Sequence, residues 1–166
     1  MSKYRRPRGR LIQTTPDWFI DRMMGGSYNQ ALNAASNSFI ELYNDANDGS
    51  VLHVWSLHIW AQSATTQGNC FLYAGTQGAL IANDTFALNP IAPNRFGKIY
   101  AGNGSIGLQN KIYTMSGNNT PTDWYQVWPF CTLPPGWGLL VATGVVNVAL
   151  SAGFMWCSMS PMEGMY

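Results

Sequence analysis

Residues 51–62 read Val-Leu-His-Val-Trp-Ser-Leu-His-Ile-Trp-Ala-Gln, and this stretch decides the fold. It is rich in β-branched and aromatic residues and has no helical stripe, so it predicts a long strand. With side chains alternating, Val51, His53, Trp55, Leu57, Ile59 and Ala61 share one face. Leu52, Val54, Ser56, His58, Trp60 and Gln62 share the other. Large apolar groups occur on both faces, whereas an antiparallel sheet with a wet side shows them on one. The strand is therefore expected to be covered twice, by a sandwich core and by a neighbouring subunit or another layer.

Working outward, Phe39 to Tyr43 predicts a short strand, and Asn44 to Ser50 a turn in which Asp48-Gly49 is a hairpin signal. Further strands are expected at Cys70–Ala74, Ala79–Ala82, Lys98–Ala101, Lys111–Met115 and Trp124–Leu133. Pro134-Pro135-Gly136 makes a hard turn. Trp137–Thr143 and Val148–Met159 then read as a final hairpin joined through Gly144 to Asn147. In its second strand Val148, Leu150, Ala152, Phe154 and Trp156 fall on one face, with smaller residues opposite. Strands recurring at this spacing, with turn chemistry between them, predict an all-β, antiparallel, jelly-roll-like β-sandwich.

Ahead of it, Thr15-Pro16-Asp17 carries helix-start chemistry and Gly25-Gly26 a stop, so Trp18 to Met24 predicts a short helix. Ser27 to Ser38 reads as an irregular or briefly helical connector. The expected organisation is an N-terminal arm over 1–38, a β-sandwich domain over 39–159 and a tail over 160–166.

Of the 166 residues 46% are apolar and only 10% charged, against roughly 25% charged in ordinary soluble domains. That composition argues against a disordered chain, a coiled coil and a charge-covered free monomer. Net charge is +1, but Lys3, Arg5, Arg6, Arg8 and Arg10 crowd the first ten residues without an acid. The body is thus acidic on balance, which argues against a nucleic-acid-binding body and leaves a basic arm free to meet an acidic surface. The arm lacks the apolar segment of a signal peptide. Cys70, Cys131 and Cys157 are an odd, sparse set, which suits buried free thiols and synthesis in a reducing cytoplasm. Gly136 to Met159 is the most apolar run, but Thr143, Asn147, Ser151 and several glycines interrupt it, so no membrane span is expected.

The chemical motifs are weak. Gly102-Asn103-Gly104-Ser105-Ile106-Gly107 has the dinucleotide spacing, but no helix-forming segment follows it to aim at a pyrophosphate. His53 and His58 are the only histidines, and an uninterrupted strand puts them on opposite faces, where they cannot chelate one metal. Asp45, Asn47 and Asp48 lack the EF-hand register and read as an Asx-rich turn. Asp17 and Asp21, at helical spacing, read as a solvated face or as partners of an Arg. No G-x-S-x-G or comparable nucleophile setting occurs, so no enzymatic activity, cofactor or metal is expected.

The tryptophans are the most informative side chains. Trp55, Trp60 and Trp156 are the candidates for a subunit interface. Trp124, Tyr125 and Trp128 are the candidates for the alternative, rings stacked on sugar faces in a carbohydrate-binding or receptor-binding module of a phage tail.

Two segments carry a family resemblance. "FIELYNDANDGSVLHVWSLHIWAQ" (39–62) and "LPPGWGLLVATGVVNVALSAGFMW" (133–156) together resemble small jelly-roll or β-sandwich virion structural proteins of tailed bacteriophages. Head-decoration, head-fibre and tail-accessory components are of this type. The resemblance spans about 39–75 and 130–157; such proteins often stop soon after the last Trp, whereas this chain continues from Cys157 to Tyr166. It implies a virion component, made in the host cytoplasm, that self-associates as a homo-oligomer, with a trimer favoured. It further implies attachment to other virion proteins, such as the major capsid protein or connector and tail proteins. Lys3, Arg5, Arg6, Arg8 and Arg10 would anchor the arm on the particle, on an acidic surface or packaged nucleic acid.

Overall fold

The computed structural model describes residues 23–61, 67–81, 85–87, 96–106, 111–116 and 123–159. At 67, 85–87, 113, 115, 116 and 123–130 it describes the backbone alone. The strands are β1 (Met23–Gln30), β2 (Asn37–Tyr43), β3 (Val51–Ala61), β4 (Gln67–Ala74), β5 (Ala79–Ile81) and β6 (Thr85–Ala87). They continue with β7 (Lys98–Gly104), β8 (Lys111–Ser116), β9 (Asp123–Leu133), β10 (Trp137–Thr143) and β11 (Leu150–Met159). No helix occurs among the described residues, and the chain is an all-β, antiparallel sandwich of two sheets.

One sheet has the order β6-β1-β11-β3-β9 and the other β5-β7-β2-β10-β4-β8. No two consecutive strands are hydrogen-bonded neighbours. Instead the pairings nest: β1 with β11, β2 with β10, β3 with β9, and β4 with β8. β11 then closes on β3, and β10 on β4. Strands β5, β6 and β7, which lie between β4 and β8 in sequence, extend one edge of each sheet.

The two inner faces meet in a single core. β2 contributes Ile40 and Leu42, β10 Leu139 and Val141, and β3 Leu52, Val54, Leu57 and Ile59. β11 contributes Leu150, Ala152, Phe154 and Trp156, as its alternation predicts. Each such large side chain removed from water stabilises the fold by about 1.5–3 kcal/mol before its entropy cost.

Four sequence expectations need correction. First, Met23–Gln30 is a strand along β11, where a helix end and connector were expected, so the sheet begins at Met23 rather than Phe39. Gly25 and Gly26 do not stop a helix; Gly26 is buried and pairs with Phe154. Pairing of all eight β1 residues with Leu150–Cys157 of β11 decides for strand. Residues 1–22, with the basic arm, the Thr15-Pro16-Asp17 helix start and the first part of the helix expected over Trp18 to Met24, lie outside the described residues, as does the 160–166 tail.

Second, β10 and β11 are not a hairpin, because they lie in different sheets, and so do β2 and β3. The Asp48-Gly49 turn is real, with Gly49 at φ 62° and Asp48 N–H donating to the Asp45 carbonyl at 3.1 Å, but it bridges the sheets. Turn chemistry reverses the chain and leaves open which sheet the next strand joins.

Third, His53 and His58 share a face. β3 pairs Val54 with Trp156 and Ser56 with Met155, so Trp55 is an extra residue inserted between two successive positions of the β11 register. This bulge resets the alternation, and Leu52, Val54, Leu57 and Ile59 all point inward. His53 and His58 pair with Cys157 and Gly153, four residues apart on β11 and therefore on one outer face. About 13 Å of strand separates them, still too far to share a metal.

Fourth, Trp156 is not an interface residue. It is fully buried in the core, and its indole N–H donates to the Phe96 carbonyl at 2.8 Å.

Candidate functional site

Three surfaces have functional potential: the outer face of each sheet and one loop end. On the five-stranded sheet the register sets Ser27, Gly153 and His58 in one row and Asn29, Ser151 and Trp60 in the next. A β-carbon on Gly153 would lie 3.7 Å from Ser27 Cβ and 3.8 Å from His58 Cβ, which confirms that they share a face. His53 Nδ1 lies 3.5 Å from the Thr132 hydroxyl, and burial holds this imidazole below its ordinary pKa. The bulged Trp55 is half-buried, and its indole N–H donates to Cys157 Sγ at 3.2 Å. Ser27, Asn29, Ser151 and Gly153 keep one end of the face small and polar beside the half-buried Trp60, and toward the other end Met23, Met155 and Cys157 share it with the half-buried Trp55.

Strands covered on both faces within the chain occur on the other sheet. β2 is buried from Ser38 to Leu42 and β10 from Gly138 to Thr143, so these central strands are enclosed on both faces. Outside them Phe39, Phe71, Leu140 and Ala142 form a second apolar cluster, with Ile106 packed on it. Glu41 lies in the same face and is fully buried. Its Oε2 accepts the Gln77 N–H at 2.9 Å, while Oε1 has no hydrogen-bond partner among the described residues. Burial pushes its pKa up to about 7, against the opposing effect of the Gln77 bond. Nothing in the sequence pattern marked Glu41, because a Glu on alternating strand positions normally faces water.

The loop end is formed by 31–36 and 144–147, tied together where Asn147 N–H donates to the Asn33 carbonyl at 2.8 Å. The Ser38 hydroxyl braces both, within hydrogen-bond distance of the Ala31 carbonyl (3.3 Å) and the Val148 carbonyl (2.7 Å). Leu32, Val145 and Val146 are exposed here by 47%, 45% and 45%. Three large apolar side chains held out on adjoining loops form a surface that sequence reasoning missed, since the residues sit in turns rather than strands.

The remaining candidates separate. Trp124, Tyr125 and Trp128 fall on edge strand β9; its register sets Trp124 opposite His58 and Tyr125 opposite Leu57, and their side chains lie outside the description. Gly102 and Gly104 fall in the last residues of β7, Gly102 lies against the Phe39 ring, and Gly107 lies outside the described residues. The Asp45 turn is an Asx turn, with Oδ1 accepting the Asn47 N–H at 3.0 Å and Oδ2 paired with Lys98. The Lys98 hydrogen bond is the main reason that Asp45 is held below the usual carboxylate range. No cluster of three or more metal-ligating side chains occurs among the described residues. No family model, curated protein or solved structure matches this chain.

Proposed function

We propose that the protein is a structural component of a tailed-bacteriophage virion. It is a jelly-roll subunit that self-associates and attaches to the particle as a capsid-decoration, head-fibre or tail-accessory protein. One observation carries the reading. The two sequence segments that resemble such proteins are remote in the chain, yet they supply β2, β10 and β4 in one sheet and β11, β3 and the end of β9 in the other. The nested pairing of first strand with last supports the jelly-roll reading, since it is the order made by rolling one long hairpin into two sheets. Jelly rolls are common in viral coats and lectins. The scarcity of charge and the exposed Leu32, Val145 and Val146 support a body that meets other protein surfaces.

On this reading the loop end, with Trp55 and Trp60 on the five-stranded sheet, takes the interface role first given to Trp156. The oligomer is closed, with a trimer favoured. The arm bearing Lys3, Arg5, Arg6, Arg8 and Arg10 fastens it to the particle, and no catalysis is involved.

Sedimentation velocity of the full chain at micromolar concentration tests this. An oligomer is expected, with Val145→Asp/Val146→Asp shifting it toward monomer while far-UV circular dichroism stays unchanged. A stable wild-type monomer overturns the reading. Specific binding of a monomer to an array of bacterial surface glycans would favour the lectin-like alternative.

A further inference from the structure

Glu41 has no part in the assembly reading, and its surroundings are unusual. The carboxyl group is clasped between the sheet and the segment Gly75–Gly78 that joins β4 to β5. Gln77 donates its backbone N–H to Oε2 at 2.9 Å. On the other side Oε1 lies against Gly138, where any β-carbon would collide with it. Gly78, at φ +80°, fastens the same segment one strand away: it sits so close to the Ala101 carbonyl and the Phe39 ring that a side chain could not fit. The segment therefore lies across β2 and β7, over Glu41 and the Phe39 ring.

The described groups around Glu41 do not neutralise it. Tyr100 is opposite it on β7 and Leu140 on β10. Tyr43 is two residues along β2, and Tyr73 faces Gly138 from β4. Lys98, opposite Tyr43, is engaged by Asp45, with Asp48 nearby.

We propose that Gly75–Gly78 is a proton-operated cover on the outer face of the six-stranded sheet, closed while Glu41 is neutral and released when Glu41 ionises. An ionised carboxylate held from water with one N–H donor is strongly disfavoured. Lifting the segment admits water to the carboxylate; it breaks the Gln77 bond and the Gly78 contact, while the Gly75 N–H bond to the Gly136 carbonyl at 2.9 Å holds its β4 end as the hinge. Burial sets the group's pKa at about 7, so the cover operates around neutrality. Release uncovers the Phe39 ring, at the edge of the outer apolar cluster, which makes its presentation pH-dependent.

Hydrogen exchange of the Gln77 amide in the full chain, corrected for intrinsic rates, is the test. Between pH 5.5 and 8.5 the wild type is expected to lose at least tenfold in protection. Glu41→Gln, neutral at both values, is expected to retain its low-pH protection throughout. Equal protection of the wild type at both pH values overturns the proposal, as does an identical loss in Glu41→Gln. Should that variant not fold, carbon-13 titration of the wild-type Glu41 carboxyl decides. The Gln77 amide shift is expected to follow it with the same midpoint, and an amide indifferent to that titration overturns the proposal.

Discussion

The side-chain amide of Asn44 donates to the Leu133 carbonyl at 2.9 Å across 89 positions of sequence. The same nitrogen reaches the Ser50 carbonyl at 2.7 Å. Asn44 is fully buried, and its backbone exchanges bonds with the Pro-Pro-Gly turn: Gly136 N–H donates to the Asn44 carbonyl, and Asn44 N–H to that of Trp137. One residue thus fastens the β2–β3 crossing to the β9–β10 crossing, the places where the chain passes between sheets.

Asn44→Ala leaves the Ser50 and Leu133 carbonyls without this donor. The expected loss is about 2–4 kcal/mol of unfolding free energy, read from urea titration with unchanged m-value. A loss below about 0.5 kcal/mol would show that water or backbone movement replaces the amide.

Glu41 makes stability depend on pH with a definite sign. The folded chain keeps this proton up to about 7, and the unfolded chain loses it near the ordinary 4.5. Between those values the folded state binds more protons, so stability falls as pH rises, then levels off above about 7. The full fall is on the order of 3 kcal/mol, and Glu41→Gln removes it. Urea midpoints at pH 4.5, 6 and 8 measure both; a wild-type curve flat or rising through this window, after subtraction of the Glu41→Gln curve, is the contrary result.

Gly97 lies under the Trp156 indole at φ +92°, where a β-carbon would approach Nε1 to 2.9 Å. Gly97→Ala therefore meets both backbone strain and a rigid ring, and about 1–3 kcal/mol of destabilisation is expected. Trp156→Ala, which opens a cavity at the core centre, is expected to cost about 3–5 kcal/mol. Thermal unfolding of each variant checks the order; a Gly97→Ala protein as stable as wild type would contradict this packing.

The Cys70 and Cys131 thiols are both pushed up to about 12 by burial, with Cys70 adding to the effect on Cys131. Neither is expected to react with a thiol-disulfide reagent in the folded protein at pH 8, and both should react in urea. Mass mapping of the labelled positions reads this directly. Rapid native labelling of either position would be the contrary outcome.

Local chemistry made much of the sandwich legible. Trp137–Thr143 is a strand with the bounds its residues imply, and Leu150, Ala152, Phe154 and Trp156 are buried as their alternation requires. The Asx turn at Asp45 and the reversal at Pro134 to Gly136, where Trp137 N–H donates to the Pro134 carbonyl at 3.1 Å, follow from side-chain and ring geometry within a few residues. Such features are short-range, so neighbouring residues specify them.

Pairing is not short-range. Gly25-Gly26 breaks a helix in isolation, yet becomes strand because β11 supplies partners along its length. Trp55 looks like one more alternating position, and only the registers of β11 and β9 turn it into a bulge that brings His53 and His58 to one face. Glu41 is an ordinary strand carboxylate until Gly138 makes room beneath it and Gln77 closes above it. The residues alone settle the turns and most of the strands from Phe39 onward; that Met23–Gln30 extends, which strands meet, and which polar group is thereby stripped of water follow from pairing and burial summed over the whole sandwich.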